Sequence, residues 1–309
     1  MGERFAAIDC GTNAIRLLIA EQEDGNWHDI VREMRTVRLG ENIDATGEFS
    51  PAALQRTFDA CSEYSEVLAH YPVAALRFVA TSASRDARNR DEFFQGVERI
   101  LHVLPEVITG DEEARLSYLG AIRGVPDLNG NVLVSDIGGG STEFVVGHGE
   151  KVIAACSMDM GCVRMTERHL WSDPPTKEEI TAAIHTIDDL LAQAERRVPV
   201  NAAEHFIGLA GSVTTVAAMA LNLPAYQAER IHGAFISAAQ VSEATSALLA
   251  MTRAERSALP FMHPGRVDVI GGGALILDRI VRSWGLPGVI AAETDILDGI
   301  VFSLAGDVT

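Results

Sequence analysis

Phe5-Ala-Ala-Ile-Asp9-Cys-Gly11-Thr-Asn13-Ala-Ile-Arg-Leu-Leu-Ile recurs in outline as Val132-Leu-Val-Ser-Asp136-Ile-Gly138-Gly-Gly140-Ser-Thr-Glu-Phe-Val-Val, 127 positions further on. Each stretch is an apolar run, an Asp, a small-residue turn and a second apolar run. That pattern reads as a β-hairpin whose tip carries a carboxylate and unobstructed backbone N–H groups. One Asp-x-Gly hairpin is commonplace, but this one returns at the head of a second α/β stretch. The duplication predicts an internal repeat built around phosphate, with two tips facing one ligand if the halves pack as lobes.

The 309 residues are enough for two domains, and an apolar fraction of 47% can fill two cores. No apolar run is long enough to span a membrane, and the chain enters its first strand without a basic leader, so a cytoplasmic protein with no membrane partner is expected. Cys10, Cys61, Cys156 and Cys162 form no C-x-x-C pair and have no histidine companions at zinc spacing; they read as small buried residues. With 43 acidic against 25 basic side chains the net charge is −18, which repels nucleic acid and argues against it as a partner. A polyanionic substrate must therefore be held locally, by arginines, backbone N–H groups and metal.

Past the first hairpin, residues 26–35 read as a third strand and Val37–Gly47 as a glycine-bounded loop. Ser50-Pro51 supplies an N-cap and an N1 proline for a helix to about His70. Residues 76–80 are the next strand, Asp91 begins a helix ending near Leu104, Val107-Ile-Thr is a short strand, and Asp111-Glu-Glu113 opens a helix ending at Gly124. This alternation predicts a largely parallel sheet. Val125–Asn131 is turn-rich and reads as the hinge, dividing the chain into lobes 1–124 and 125–309. In the second lobe, residues 151–157 read as a strand, Thr176-Lys-Glu-Glu179 as the capping box of a helix to about Arg197, and 205–210 as a strand entering a turn at Gly211–Thr215. Late helices are expected from about Arg266 to Trp284, containing Gly271-Gly-Gly273, and from Asp295 to the end.

These motifs, with Leu39-Gly-Glu-Asn-Ile-Asp-Ala-Thr-Gly47, Ala80-Thr-Ser-Ala-Ser-Arg85-Asp-Ala-Arg-Asn89, Thr109-Gly-Asp-Glu-Glu113-Ala-Arg-Leu, Met160-Gly-Cys-Val-Arg and Ala210-Gly-Ser-Val-Thr-Thr215, resemble the exopolyphosphatase and guanosine-pentaphosphate phosphatase (Ppx/GppA) family in order and over nearly the whole chain. The resemblance implies a two-lobed, actin-like (ribonuclease H-like) α/β fold, each lobe a mixed sheet flanked by helices, with the active site in the interlobe cleft and the last helix able to pack back on the first lobe. It further implies the short form, without the C-terminal helical domain that longer members carry and that is associated with grip on extended polyphosphate. The fold often forms dimers, so a homodimer is among the expected partners.

Hydrolysis of a phosphoanhydride needs a positioned water, a carboxylate to orient or deprotonate it, and positive groups on the transferred phosphoryl. Gly11, Thr12 and Asn13 in one tip and Gly138, Gly139, Gly140 and Ser141 in the other are the candidate backbone donors. Asp9 and Asp136 stand at equivalent repeat positions. Two converging carboxylates beside phosphate call for a bridging cation, for which magnesium suits, with manganese as a substitute. The resemblance places the catalytic base at Glu113; read alone, Asp111, Glu112 and Glu113 also simply favour a helix N-terminus. Glu143 is the second carboxylate that could orient water. Arg85, then Arg16, are the candidates to grip phosphate oxygens, and Ser212 and Thr214 form a candidate anion site at a strand-to-helix turn that would equally serve as an N-cap. No P-loop, nucleophile elbow or nicotinamide fingerprint occurs. The expected activity is release of terminal orthophosphate from short inorganic polyphosphate. The alternatives are 5′-phosphate removal from guanosine pentaphosphate and, in another class, a non-catalytic regulator that binds either ligand.

Overall fold

Residues 5–10 and 17–20 are buried without interruption, the pattern of strands covered on both faces, and they form the middle of a five-stranded sheet. The structure is a computed structural model that describes residues 2–125 and 127–306; Pro126, in the expected hinge, and residues 307–309, at the expected end of the last helix, lie outside the described residues. The chain divides into two units. The first runs to Leu116 and resumes at Ile296, and the second is Ser117–Asp295.

In the first unit β1 (Glu3–Cys10), β2 (Ala14–Glu23) and β3 (Asn26–Thr36) form a meander, and the loop expected at 37–47 contains a one-turn α1 (Ile43–Thr46). There follow α2 (Pro51–His70), β4 (Ala75–Ala80), α3 (Ser82–Asp86), α4 (Arg90–Leu101), β5 (Glu106–Val107) and α5 (Gly110–Gly124). The sheet order is β3-β2-β1-β4-β5, antiparallel across the meander and parallel from β1 to β5. The hairpin expected at the first tip extends into an antiparallel meander, and the strands that alternate with helices are parallel, so the sheet is mixed. The period of two sorts the β1 side chains: Ala6, Ile8 and Cys10 pack toward Tyr64, Phe78 and Phe93, while Phe5 and Ala7 pack on Ile296, Leu297 and Ile300.

The second unit repeats this plan with β6 (Asn131–Ile137), β7 (Thr142–His148) and β8 (Lys151–Met158), then α6 (Cys162–His169), α7 (Lys177–Glu195), β9 (His205–Leu209), α8 (Ala210–Ala220), α9 (Ala228–Ile231), β10 (Phe235–Ser237), α10 (Ala238–Ala250), α11 (Arg253–Ser257), α12 (Ile270–Ser283) and β11 (Gly288–Ala291). Its order, β8-β7-β6-β9-β11 with β10 added at the edge, matches the first sheet strand for strand. This duplicated mixed sheet is that of the expected actin-like fold. The last helix, α13 (Ile296–Leu304), belongs to the first unit, where it lies so close to α5 that a Cβ on Gly299 would stand 2.0 Å from the Leu116 carbonyl oxygen.

The division of the chain falls inside α5, at Leu116/Ser117, and not at 124/125 where the turn-rich segment suggests it. Leu116 packs in the first unit's core, whereas Ser117 and Tyr118 bond to Asp136 and the Gly149 carbonyl of the second, so side-chain partners and not chain flexibility set the boundary. Gly272 and Gly273 serve packing: a Cβ there would meet the Cys162 carbonyl and Thr166 at 2.7 Å, or the Ser212 hydroxyl at 2.1 Å, so α12 is drawn tightly onto α6 and α8. The helix expected to start at Asp91 starts at Arg90 and stops at Leu101, because His102 takes the left-handed conformation at its C-cap.

The Ser50 hydroxyl accepts from the Ala53 N–H at 3.1 Å, and Thr176 and Glu179 form a reciprocal capping box on α7. Thr176→Ala is expected to lower stability by about 1 kcal/mol, measured as a lower denaturation midpoint. Desolvation pulls the Glu179 carboxyl upward, but the N–H groups of Thr176, Ser172 and Trp171 and the Ser172 hydroxyl outweigh it and hold the carboxyl below the ordinary glutamate value. A depressed folded-state value gives stabilisation that is complete above the ordinary value and lost as pH falls through the depressed one. The stability gap between wild type and Glu179→Gln is accordingly expected to narrow as pH is lowered below the ordinary glutamate value.

Candidate active site

In both sheets the candidate residues collect at the carboxyl ends of the parallel strands, where open α/β sheets hold ligands. In the first unit the tip between β1 and β2 is closed by the Gly11 N–H, which donates to the Ala14 carbonyl at 3.0 Å. The second tip repeats the bond, Gly138 N–H to Ser141 carbonyl at 3.0 Å. The amides of Gly11 and Gly138, expected among the phosphate donors, are thus spent inside their turns. Among the described residues those of Thr12, Gly139 and Gly140 donate to no backbone carbonyl.

The loop after β3 buttresses the first tip. Gly40 N–H donates to the Thr12 carbonyl at 2.9 Å, and Val37 and Arg38 donate to that of Asn13 at 3.1 and 2.8 Å. Gly40 must be glycine here, since a Cβ would stand 2.4 Å from the Thr12 methyl. The buried hydroxyls of Thr12 and, on α3, Ser84 have no hydrogen-bond partner in the structure, which leaves donors for a ligand. Asp9 and Arg16 are cross-strand partners, and Arg16 grips one carboxylate oxygen with Nη2 at 2.6 Å and Nε at 3.1 Å.

Arg85, on α3, donates through Nη1 to Glu113 at 2.7 Å and to the Ile108 carbonyl at 3.0 Å. Glu113 lies in the first turn of α5, where the helix dipole favours a carboxylate, and it is 8% exposed. Thr109 caps that turn through its hydroxyl on the Glu112 N–H. The expected base and the expected phosphate grip are therefore ion-paired partners within the first unit.

In the second unit the position equivalent to Arg16 is Glu143, the cross-strand partner of Asp136. Both carboxylates are buried, at 2% and 7% exposure. Ser157 donates to Glu143 and Ser117 to Asp136, each at 2.7 Å. Like charges directly opposite on a sheet destabilise it, and a hard cation between them removes the penalty. Among the described residues no group of three or more His, Cys, Asp and Glu is placed to hold a metal. Two carboxylate arms with water and phosphate completing the shell fit magnesium, which keeps several of its waters. Asp9, the other aspartate named from the repeat, is engaged by Arg16 through Oδ2.

The tip itself is tied to α6. Cys162 N–H donates to the Gly138 carbonyl, Val163 and Arg164 N–H to that of Gly139, and Arg164 Nε to that of Gly140 at 2.7 Å. A Cβ on Gly161 would lie 2.2 Å from the Gly139 carbonyl group, so only glycine allows the approach. Ser212 and Thr214 lie in the first turns of α8, entered through Ala210 in the left-handed region (φ 67°). Tyr226 donates to Glu293 at 2.6 Å and stands 2.8 Å from the Thr214 hydroxyl; burial, then the Glu293 charge, push its phenol up to about 12. Arg266 bonds Thr215 at 3.2 Å and lies 5.9 Å from the Tyr226 ring. Ser117, Ser157, Tyr226 and Arg266 escape sequence reasoning because each lies far along the chain from the motif it serves. Arg164 stands inside a quoted motif, but nothing local assigns it a role.

The sequence matches the Ppx/GppA phosphatase family over residues 18–307. It is 47% identical over 316 residues to Exopolyphosphatase 2 of Mycobacterium tuberculosis, covering 98% of this chain and 99% of that protein. It is 29% identical over 303 residues to the guanosine-5′-triphosphate,3′-diphosphate pyrophosphatase of Aeromonas salmonicida, covering 98% of this chain and 60% of that one. Among solved structures, an exopolyphosphatase-like protein superposes with a TM-score of 0.95 at 42% identity, covering 99% of this chain and all of the other. The Aquifex aeolicus PPX-GPPA enzyme does so with 0.82 at 30% identity, covering 97% and 99%. By the family match and by its identity to the Mycobacterium protein over nearly its whole length, the chain belongs to the Ppx/GppA phosphatase family.

Proposed function

We propose that the protein is an exopolyphosphatase that releases terminal orthophosphate from short inorganic polyphosphate. The observation that carries the reading is the Arg85–Glu113 pair at the carboxyl edge of the first sheet: a carboxylate held in one orientation by a guanidinium, on a helix N-terminus, suits a base that takes a proton from water. Glu113 accepts that proton as the water oxygen bonds to the terminal phosphorus and the bond from phosphorus to the bridging oxygen breaks, leaving orthophosphate and a chain shorter by one unit. The amides of Thr12, Gly139, Gly140 and Ser141 and the hydroxyls of Thr12 and Ser84 are the groups we assign to the phosphate oxygens. Asp136 and Glu143 would hold magnesium, which when bound neutralises phosphate charge.

The cytoplasm is the compartment we assign, because all four cysteines are free and buried, the state a reducing environment maintains. Among the described residues no helix is long and apolar enough to cross a membrane. The Aeromonas relative keeps guanosine pentaphosphate as the second substrate to test, since both ligands end in the same phosphoanhydride.

Orthophosphate release measured side by side on short polyphosphate, polymer hundreds of units long and guanosine pentaphosphate is expected to be fastest per chain end on the short chain. Glu113→Gln is expected to lower kcat by about 10²–10⁴-fold while the protein stays folded; near-normal turnover in that variant would sink the assignment of the base. Asp136→Asn and Glu143→Gln are each expected to raise the magnesium concentration needed for half-maximal rate by about tenfold or more. An unchanged magnesium titration in both variants would place the metal elsewhere.

A further inference from the structure

We infer that Arg164 is a positioning residue that aims the amide of Ser141 at the phosphate, an inference that rests on the reading of the second tip as a phosphate binder. In a trans peptide the C=O and N–H of one unit point in opposite directions. The carbonyl of Gly138 shares its plane with the amide of Gly139, that of Gly139 with the amide of Gly140, and that of Gly140 with the amide of Ser141. Drawing three successive carbonyls onto the start of α6 therefore turns three successive amides the other way.

Two of the three carbonyls are held by backbone, through the N–H groups of Cys162, Val163 and Arg164. The third, Gly140, is held by the Arg164 side chain, at 2.7 Å from Nε. In the first unit the corresponding work is done by backbone: the Thr12 carbonyl takes the Gly40 N–H, and the Asn13 carbonyl takes those of Val37 and Arg38. Orientation of the Ser141 amide thus depends on a side chain that a point substitution can remove. The atom matters as much as the charge. Nε is a single N–H fixed in the guanidinium plane, and lysine carries no donor at that point of its chain. Arg164 is 7% exposed and Gly161 brings its helix within reach, so the bond is sheltered from water.

The test is steady-state kinetics and calorimetric binding of tripolyphosphate to wild type, Arg164→Lys and Arg164→Met, with thermal melting of each. Both variants are expected to melt as folded proteins and to raise KM and the dissociation constant by about tenfold, the scale of one hydrogen bond to a charged group, with a smaller change in kcat. Recovery of wild-type KM by lysine would overturn the inference, since charge and not the Nε–carbonyl bond would then be at work. So would a lowered melting point with unchanged KM. If neither variant folds, hydrogen exchange in Glu113→Gln decides: tripolyphosphate is expected to slow exchange at Ser141, and no slowing overturns the inference. A wild type that neither binds nor hydrolyses tripolyphosphate would instead overturn the exopolyphosphatase reading itself.

Discussion

A net charge of −18 sets the terms on which this protein can hold a polyanion. Long-range attraction is not available, so the binding groups must act within a few ångströms, well inside the Debye length of about 8 Å. Backbone amides meet that condition. They carry fixed partial charge, need no counter-ion, and once their carbonyls are anchored they do not reorganise as the ligand arrives. The hairpin tips, the loop at Gly40 and the start of α6 all serve this anchoring. The glycines at 40 and 161 are required because the buttressing segments approach closer than a side chain permits.

The two units share a sheet and differ at one cross-strand pair, and that difference divides their chemistry. Asp9 faces Arg16, a pair of opposite charge bonded through one carboxylate oxygen. Asp136 faces Glu143, a pair of like charge, each steadied by one serine hydroxyl and both buried. The same backbone occurs twice, and the residue opposite the aspartate differs, arginine in the first unit and glutamate in the second.

The duplicated hairpins and the capped helices α2 and α7 were legible in the sequence because each is a local pattern with a local cause. What was not legible depends on atoms brought together from far along the chain. The amides of Gly11 and Gly138 look available until their turns are seen to close through them. The boundary of the units looks natural at 125–131, a polar stretch, yet it follows the partners of Leu116 and Ser117 inside a continuous helix. The helix α10 does carry a Ser237–Gln240 capping box that a closer reading of that segment would have used. Tyr226 and Arg266 give no such sign, since each meets α8 only through tertiary folding.

The helix α5 carries the proposed base, Glu113. Its N-terminus is fixed twice, by the Thr109 hydroxyl on the Glu112 N–H and by Arg85, which spans Glu113 and the Ile108 carbonyl at the end of β5. Glu113 therefore rides on the strand edge and is not free to swing with its own side-chain torsions. Four residues later on the same helix, and so on the same face, Ser117 holds the Asp136 carboxylate at 2.7 Å. Within α5 one turn of helix, a rise of about 6 Å, lies between Glu113 and Ser117. Because a displacement of about 1 Å at a reacting group can cost two orders of magnitude in rate, the helix turn and Arg85 together hold the proposed base to a narrow range of positions.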